Sequence, residues 1–372
     1  MKTKPSLGLM VVMLMFPQIV ETIYSPALGS IADAFSVSYA QAAQTLSVYF
    51  VAFALGVVTW GVMADKLGRR PTMLIGLVIY SCSALVAMQT QSFTVLILAR
   101  VMSAFGIAVG SVVTQTMLRD AFDGNELAKV FSLMGMGIAL SPVVGMLLGG
   151  YLTSAGGYHY VFLALTTMAL ALFVYNLLKL PETQTENQSV NLRDLTVRMV
   201  KDPQVIISAV LVALYNIALF SYYQLGAFRF SELGLSAELF GYSGIALGLA
   251  TLMGSYVNKV LLTRNASQHS LLLLSALLLA GGAVGVYVML DTLYFVVAMM
   301  LVVMSFGIAI PNILSSALVD YKQYAGSAGA VFGLLYYLMI GSGLALTGFV
   351  QNLGYVLLAC SVVTSMVTLS RR

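Results

Sequence analysis

The feature that most constrains this chain is a series of apolar runs, each long enough to cross a lipid bilayer. A membrane-spanning helix needs about 20 mostly apolar residues, and charged or turn-rich breaks leave twelve such runs along the 372 residues. Only 9% of the residues are Asp, Glu, Lys or Arg, whereas a soluble domain carries about 25%, so lipid has to cover most of the surface. The runs, numbered here as spans 1 to 12, are residues 6–28, 40–64, 72–90, 93–117, 128–153, 159–180, 204–227, 237–262, 270–290, 293–317, 327–350 and 353–370.

The longest polar stretch divides these spans six and six. It covers residues 182–203 and separates an N-terminal half, 1–181, from a C-terminal half, 204–372. A short repeat supports two related halves, because GVMADK after span 2 and GSYVNK after span 8 both place Lys five residues after Gly. We therefore predict an all-α polytopic membrane protein, with 12 transmembrane helices in two pseudo-symmetric six-helix halves joined by a cytoplasmic linker.

The Lys and Arg residues predict the orientation of the chain. If the N-terminus is cytoplasmic, all 18 Lys and Arg residues except Arg100 and Arg229 fall on the cytoplasmic side. Positive charge is enriched in cytoplasmic loops. We therefore expect a multi-pass membrane protein with an even number of spans and both termini in the cytoplasm.

The sequence does not suggest an enzyme. It has no GxxxxGKS/T motif for ATP hydrolysis, and its histidines, His159 and His269, lie far apart at loop edges. The two cysteines, Cys82 and Cys360, each lie inside an apolar run, which indicates neither a disulfide nor a metal framework. We expect no cofactor and no metal. Because the motif for ATP hydrolysis is missing, any energy for pumping would have to come from an ion gradient.

Glu21 is the acidic residue that lies well inside a span, whereas the other 13 of the 14 acids fall in or near loops. A charge at that depth costs about 3 kcal/mol, so it suggests a function. Arg100 in span 4 lies at the same depth, since both residues are about 10 Å from the outer ends of their helices at 1.5 Å per residue. We expect Glu21 to carry a proton and Arg100 to pair with it. The alternative is a carboxylate that only braces span 1 against a neighbour. Polar faces on spans 1 and 4 suggest a water-filled cavity between them, and hydrogen bonds between the helices without a cavity are the alternative.

Aromatic and amide side chains recur inside several spans, which suits a mostly apolar pocket with a few polar groups. Ordinary helix packing is the alternative for each of them. The candidate substrate-binding residues are Gln18, Tyr24, Tyr49, Tyr215, Asn216, Phe220, Tyr223, Asn312 and Tyr336, with Tyr337 beside them.

Several strings resemble the major facilitator superfamily. GVMADKLGRRP at 61–71 is similar to its loop 2–3 signature, and LARVMSAFG at 98–106 is similar to the helix 4 arginine motif of its proton-driven members. ALSPVVGMLLGG at 139–150 resembles the helix 5 motif of its antiporters, and LPET at 180–183 closes span 6 as in many drug exporters. The strings that resemble the bicyclomycin/chloramphenicol-resistance (Bcr/CflA) branch are ETIYSPALG at 21–29, RDAFDG at 119–124, IPNILSSAL at 310–318 and AGSAGAVFG at 325–333.

This resemblance implies a proton-coupled exporter of small amphipathic drugs or metabolites that works by alternating access. Its partners would be a small-molecule substrate, protons and lipid, with no nucleic acid, and it would act as a monomer. The resemblance also implies a helix 5 that bends and seals against leaks through Gly137, Pro142, Gly145 and Gly149. A dedicated exporter of one metabolite, such as a siderophore, and a proton-coupled importer remain alternatives.

Loop 2–3 is expected to act as a conformational latch. Asp65 ends span 2 where span 11 begins near Gly326, and a carboxylate gains about 0.3–1 kcal/mol beside a helix N-terminus. The alternative is that the charges of this loop only set the topology. The latch residues are Gly61, Asp65, Gly68, Arg69 and Arg70.

The chain departs from the family pattern at three positions. Ser141 stands where helix 5 usually has Gly, and Ser103 stands where helix 4 usually has Gln. The branch places its helix 1 acid four residues before Pro26, but Thr22 is there and Glu21 comes one residue earlier. One residue turns about 100° around a helix, so Glu21 is expected to face a different neighbour.

Overall fold

Helices make up the framework of this protein. The computed structural model describes residues 4–184 and 192–370, and β-strands are absent from these two ranges. Span 1 consists of the helix Leu7–Ile23, a 3-10 turn at Ser25–Ala27 and the helix Leu28–Phe35. The next helices are Tyr39–Leu67, Arg69–Gln89 and Phe93–Ala121 for spans 2 to 4, and Gly124–Lys179 for spans 5 and 6. Spans 7 to 12 are Pro203–Glu232, Ala237–Thr263, Gln268–Met289, Phe295–Ala317, Ala325–Val350 and Leu353–Ser370.

The helix Gly124–Lys179 crosses the membrane twice. Its 56 residues would form a straight rod of about 84 Å, whereas the hydrocarbon core is about 30 Å thick. Gly156 and Gly157 break it, and Gly157 has a φ of 63°, which favours glycine. The 11 helices in the described residues that are long and apolar enough to span a membrane therefore make twelve crossings. The predicted fold class is confirmed.

The linker contains one short helix. Leu192–Val200 lies between the halves in sequence, and its Leu195 and Met199 are buried. Beyond it, Asp202 accepts a hydrogen bond from the Tyr321 hydroxyl (2.9 Å), which ties the start of span 7 to the segment before span 11. Residues 185–191 of the predicted linker lie outside the described residues.

Spans 1 and 5 pack so closely that glycine is required between them. A Cβ atom at Gly145 would lie 2.0 Å from Thr22 Oγ1, and one at Gly149 would lie 2.3 Å from the Ile23 carbonyl oxygen. The fit is less tight at Gly137, where a Cβ atom would lie 3.1 Å from a Val11 methyl and 3.2 Å from Met15 Cγ. Three of the four residues predicted for the helix 5 motif therefore set the distance between spans 5 and 1.

Pro142, the fourth residue of that motif, lies inside the same helix. Proline has no backbone N–H and disfavours regular helix at its position. The Ser141 hydroxyl donates to the Gly137 carbonyl (2.8 Å), so the serine that replaces the usual glycine bonds back to its own helix.

The two halves meet along two helix pairs. Span 5 crosses span 8 where a Cβ at Gly241 would lie 2.7 Å from the Met146 carbonyl oxygen and 3.0 Å from Gly150 Cα. Span 2 lies against span 11 where a Cβ at Gly341 would lie 2.6 Å from a Val51 methyl. Small residues allow such close backbone approach between membrane helices.

Contacts between the halves are concentrated at one end of the bundle. We call the end with residues 65–71 and both described chain ends the basic end, and the other the opposite end. Near the opposite end, the buried Gln224 amide of span 7 donates to the Ala43 carbonyl (2.8 Å) and to Ser47 Oγ (3.3 Å) of span 2, and to the Leu344 carbonyl (3.0 Å) of span 11. Gln224 therefore links three helices.

Two further contacts close the opposite end. The Ser25 hydroxyl of span 1 donates to the Tyr223 carbonyl of span 7. The ring of Tyr39, which begins span 2, stacks on Phe228 with centroids 4.3 Å apart. These contacts join the N-terminal and C-terminal halves across the opposite end.

Towards the basic end the halves separate. Spans 2 and 11 still approach at Val57, which lies 3.7 Å from the Cβ position of Gly333. Further along span 11, no heavy atom of another described part of the chain lies within 4 Å of the Cβ positions of Gly329 and Gly326, and both glycines are exposed. The two halves are thus in contact at the opposite end and separated from each other at the start of span 11.

Replacing Gln224 with Ala should loosen the closed end, because the three hydrogen bonds between helices are lost. Spin labels at the exposed Gln91 and Thr292, in a cysteine-free background, would report the distance between the halves there. We expect the distance distribution to shift to longer values in Gln224→Ala. The control Gln351→Ala, which removes a side-chain amide that donates to the Gly348 carbonyl at the end of span 11, should leave it unchanged. An unchanged distribution in Gln224→Ala would show that Gln224 does not hold this end closed.

Candidate functional site

Glu21 faces the centre of the bundle from the last turn of the helix Leu7–Ile23. Its side chain is buried, at 2% exposure. The next residue, Thr22, packs against Gly145 of span 5, and its hydroxyl donates to the Gln18 carbonyl (2.8 Å). Because neighbouring residues point about 100° apart on a helix, the side that contacts span 5 belongs to Thr22 and Glu21 turns away from it. The offset of one residue in the sequence thus gives the carboxylate a different neighbourhood.

Side chains from both halves lie within electrostatic range of this carboxylate. Arg100 of span 4 and Tyr49 of span 2 interact with Glu21 electrostatically from the N-terminal half. Tyr223 of span 7, with Tyr336 and Tyr337 of span 11, does so from the C-terminal half. We call Glu21, Arg100 and these tyrosines, with Tyr24 and Tyr80, the central cluster. It lies where spans of the two halves meet, so relative motion of the halves would change it.

Arg100 is held by aromatic rings. Its guanidinium carbon lies 3.9 Å from the centroid of the Tyr24 ring and 4.5 Å from that of Tyr49, and the residue is 1% exposed. A cation over an aromatic face is attracted to it, more strongly when both are out of water. The Tyr24 hydroxyl in turn donates to Thr45 Oγ1 (2.9 Å), which fixes the ring.

The expected ion pair between Glu21 and Arg100 is not formed in this structure. Within residues 4–184 and 192–370, the enclosed atoms Glu21 Oε1, Arg100 Nε and Arg100 Nη2 have no hydrogen-bond partner. Arg100 packs on the tyrosine rings instead, so the two charges interact over a longer distance. The role assigned to the pair stays a prediction.

The structure separates the predicted substrate residues into two groups. Tyr24, Tyr49, Tyr223 and Tyr336 belong to the central cluster, and Phe220 touches it, with its ring 5.6 Å from that of Tyr223. The remaining candidates are engaged elsewhere or less deeply buried. The Tyr215 hydroxyl bonds Ser275 Oγ (2.6 Å), Asn312 donates to Asn258 Oδ1 (2.7 Å), Asn216 donates to the Val212 carbonyl (2.8 Å), and Gln18 is half-buried one turn before Glu21.

Sequence reasoning missed Tyr80 and Gln224. Tyr80 of span 3 is buried, interacts electrostatically with Arg100, and lies 5.3 Å from the Phe16 ring. Each of the two is a polar side chain in the middle of an apolar run, which is the signal that could have singled them out. Span 3 carries no charged residue near this depth, so the position of charges in the sequence does not mark Tyr80.

The charged residues of the predicted latch, Asp65, Arg69 and Arg70, form hydrogen bonds inside the N-terminal half. The buried Arg69 donates through Nη1 to Asp65 Oδ1 (2.8 Å) and through Nε to Asp120 Oδ2 (2.9 Å). It therefore joins the ends of spans 2 and 4 to the start of span 3. Arg70 donates to the Leu177 carbonyl of span 6 (2.8 Å). Gly61 lies in span 2 with Val112 of span 4 beside its Cβ position, at 3.8 Å.

Glu182 completes this network from the segment after span 6. Its carboxylate accepts the backbone N–H groups of Arg69 (3.0 Å) and Arg70 (3.1 Å), which begin span 3, and those of Thr183 and Gln184 (both 2.9 Å). Gly68, with a φ of 100°, lets the chain turn so closely that a Cβ there would lie 2.7 Å from Glu182 Oε2. Partial burial raises the pKa of Glu182, but the four N–H donors outweigh it and hold the pKa below its usual value of 4.5.

A groove of about 370 Å³ opens between the halves. Its walls come from spans 2, 4 and 11 and are mainly apolar, with Gln44, Ser47 and Ser342 as the polar groups. It reaches Val101, the residue after Arg100. The groove therefore runs along the span 2 and span 11 contact at the depth of the central cluster.

Known proteins share both this sequence pattern and this fold. The family model of the Major Facilitator Superfamily matches residues 10–366. The chain belongs to this superfamily. A major facilitator is a transporter rather than an enzyme, which agrees with the lack of catalytic motifs in the sequence.

Individual known proteins are similar over most of the chain. An uncharacterized transporter of Rickettsia bellii is 29% identical over 343 residues, which cover 87% of this chain and 84% of that protein. A bicyclomycin resistance protein homolog of Haemophilus influenzae is 24% identical and covers 86% of this chain and 82% of that protein. The crystal structure of a D-xylose-proton symporter superimposes with a TM-score of 0.75 at 13% identity, covering 96% of both chains. The last of these shows the shared fold, and the resemblance to the bicyclomycin-resistance branch is confirmed.

Replacing Glu182 with Gln should lower the stability of the N-terminal half, because a neutral amide accepts the four N–H groups more weakly. After allowance for solvent exposure, we expect a loss of about 1 kcal/mol, comparable to losing a helix cap. Since the folded pKa is depressed, this stabilisation is present above pH 4.5 and disappears as the pH falls through the folded value. Thermal unfolding in detergent should therefore separate the two proteins at pH 7 and bring them together in acid. Equal melting temperatures at pH 7 would contradict the role of Glu182.

Proposed function

We propose that this major facilitator exports small amphipathic molecules in exchange for protons by alternating access. The observation that carries the proposal is Glu21, a buried carboxylate of span 1 that lies within electrostatic range of side chains from both halves. Movement of one half against the other would change the surroundings of a group in that position. Proton binding there would thus be coupled to the exchange between inward-facing and outward-facing states.

The chemistry of Glu21 suits a proton site. The protonated acid is neutral, and a neutral group is tolerated in a dry cluster far better than a charge without a hydrogen-bonded partner. The ionised form is compensated in part by Arg100, which lies close enough to interact with it. Opening of the cluster to water would favour the ionised form, and its closure would favour the protonated form. The cycle therefore offers one state for taking up a proton and another for releasing it.

The surrounding side chains suit an amphipathic substrate. Tyrosine and phenylalanine rings offer a large apolar surface, and the tyrosine hydroxyls provide a few polar contacts. Competition between a proton and the substrate for Glu21 would produce exchange. The similarity to a bicyclomycin resistance protein homolog supports export of such molecules.

The orientation belongs to the same proposal. The basic end carries the Arg69 network and the described chain ends, and the positive-inside rule places such an end in the cytoplasm. The structure would then be the inward-facing state, and the bilayer would be the inner membrane of a bacterium. In the outward-facing state, the start of span 11 would approach Asp65.

Glu21→Gln should abolish proton-driven accumulation, because the amide cannot carry the proton through the cycle. The driving force that would be lost is about 2.3 kcal/mol per 100 mV plus about 1.4 kcal/mol per pH unit for each proton. Uptake of a panel of antibiotics and siderophores into inverted vesicles, with and without a pH gradient, measures accumulation. Glu126→Gln, which changes an exposed acid paired with Lys4, is the matched control and should transport as the wild type does.

The same panel decides between the alternatives. A response to many antibiotics supports a multidrug exporter, and a response to one siderophore alone supports a dedicated exporter. Uptake that a proton gradient drives into right-side-out vesicles supports an importer. Proton release on substrate addition to purified Glu21→Gln, at the wild-type level, would refute the coupling role of Glu21.

Asp65→Asn should shift the resting population towards the inward-facing state. The neutral side chain loses its attraction to the start of span 11, which would stabilise the outward-facing state. The expected weakening is about 0.3–1 kcal/mol, or roughly a two- to fivefold change in population. Labelling of a cysteine introduced at Ser327 would report it as faster modification from the cytoplasmic side. Unchanged labelling would mean that Asp65 acts only through its bond to Arg69.

A further inference from the structure

The unused edge of Arg100 has the shape of a carboxylate site. The ring contacts with Tyr24 and Tyr49 are made by the guanidinium group as a whole, whereas Nε and Nη2 are enclosed without a hydrogen-bond partner among the described residues. These two nitrogens point their N–H groups in the same direction along one edge. A planar group with two oxygens, such as a carboxylate, accepts both in parallel.

Glu21 does not fill that edge. Its own Oε1 is enclosed without a hydrogen-bond partner among the described residues, although Arg100 is close enough to interact with it. The central cluster thus contains a buried guanidinium group and a buried carboxyl group, and each has polar atoms without a hydrogen-bond partner among the described residues. A buried polar atom without a hydrogen bond is costly, so such atoms point to a ligand or to a functional state.

We propose that the transported molecule is a zwitterion with an aromatic or apolar body. Its carboxylate binds side-on to Nε and Nη2 of Arg100, and its ammonium group binds the ionised carboxylate of Glu21. The body packs against Tyr223, Tyr336 and Tyr337, which reach the same cluster from the C-terminal half. This assignment rests on the proposed proton exchange and names the substrate class for it.

Charge balance favours a zwitterion over a simple anion or cation. An anion on Arg100 binds best when Glu21 is neutral, so the anion and the proton would travel together rather than in exchange. A cation on Glu21 is repelled by Arg100, which no described residue neutralises by an ion pair. A zwitterion satisfies both groups, and protonation of Glu21 removes the partner of its ammonium group. Proton and zwitterion therefore compete, as exchange requires.

Ligands that share one body and differ in charge test this directly. Aromatic amino acids and dipeptides provide the zwitterion, their amides the cation and their N-acetyl derivatives the anion. Binding to the purified wild-type protein, without a gradient, should favour the zwitterion by at least about tenfold over both derivatives, the value of one charged hydrogen-bonded pair. Equal affinity for the three forms, or no binding of any zwitterion, would overturn the proposal.

Two variants assign each charge to its residue. Arg100→Lys keeps the positive charge but loses the two parallel N–H donors of Nε and Nη2. The preference for the zwitterion over the amide should therefore fall about tenfold. Glu21→Gln should remove the preference for zwitterion over the N-acetyl form. Arg264→Ala, at an exposed arginine, is the control and should change neither preference. Wild-type preferences in Arg100→Lys would show that the arginine edge does not bind the carboxylate.

These experiments distinguish a wrong substrate assignment from a wrong proposal of proton exchange. If zwitterions bind with the expected preferences and release no protons, the substrate assignment stands and proton exchange is wrong. If cationic or neutral drugs release protons and no zwitterion binds, proton exchange stands and the substrate assignment is wrong.

Discussion

The close contact of span 5 with spans 1 and 8 is the constraint on which the arrangement of the centre depends. On one side, Gly145 and Gly149 leave no room for a side chain against span 1. That contact takes up the face of span 1 that carries Thr22, and it directs Glu21 towards the centre. On the other side, Gly150 meets Gly241 of span 8 and joins the two halves. One helix therefore positions the buried carboxylate and also holds the surface along which the halves move.

Such contacts carry unusual weight in a membrane. Lipid tails are as apolar as leucine side chains, so burial of apolar surface does little to hold helices together, and close packing and hydrogen bonds take its place. This explains why a single amide, Gln224, can connect spans 2, 7 and 11 with three hydrogen bonds. It also explains why the opposite end is closed by a few specific contacts, which can be exchanged for others when the halves move.

The buried charges at the centre illustrate the same physics. In water, Arg100 and Glu21 would be solvated separately at little cost. In the bundle, Arg100 is stabilised by the rings of Tyr24 and Tyr49 rather than by an ion pair. This arrangement leaves hydrogen-bonding atoms of both charged groups available. The charge network of Arg69 and Glu182 differs from it, because at the basic end of the bundle acidic side chains accept hydrogen bonds from backbone N–H groups and from the Arg69 guanidinium. The first arrangement is suited to binding, and the second to holding spans 2, 3, 4 and 6 in place.

The sequence by itself determined the class of fold and the residues of greatest interest. Backbone groups must be hydrogen-bonded internally in lipid, so apolar runs of sufficient length become helices, and their number and the two-half organisation followed from counting them. The cost of burying charge was enough to single out Glu21 and Arg100 from their positions along the chain. Only the tertiary structure decided which neighbours these residues have. Side-chain direction depends on how helices rotate and pack, and this placed Tyr80 and Tyr337 in the cluster, bonded Tyr215 to Ser275 and Asn312 to Asn258, and put tyrosine rings on Arg100 where an ion pair was expected. Those choices arise from contacts between residues far apart in sequence, which the composition of a single span does not encode.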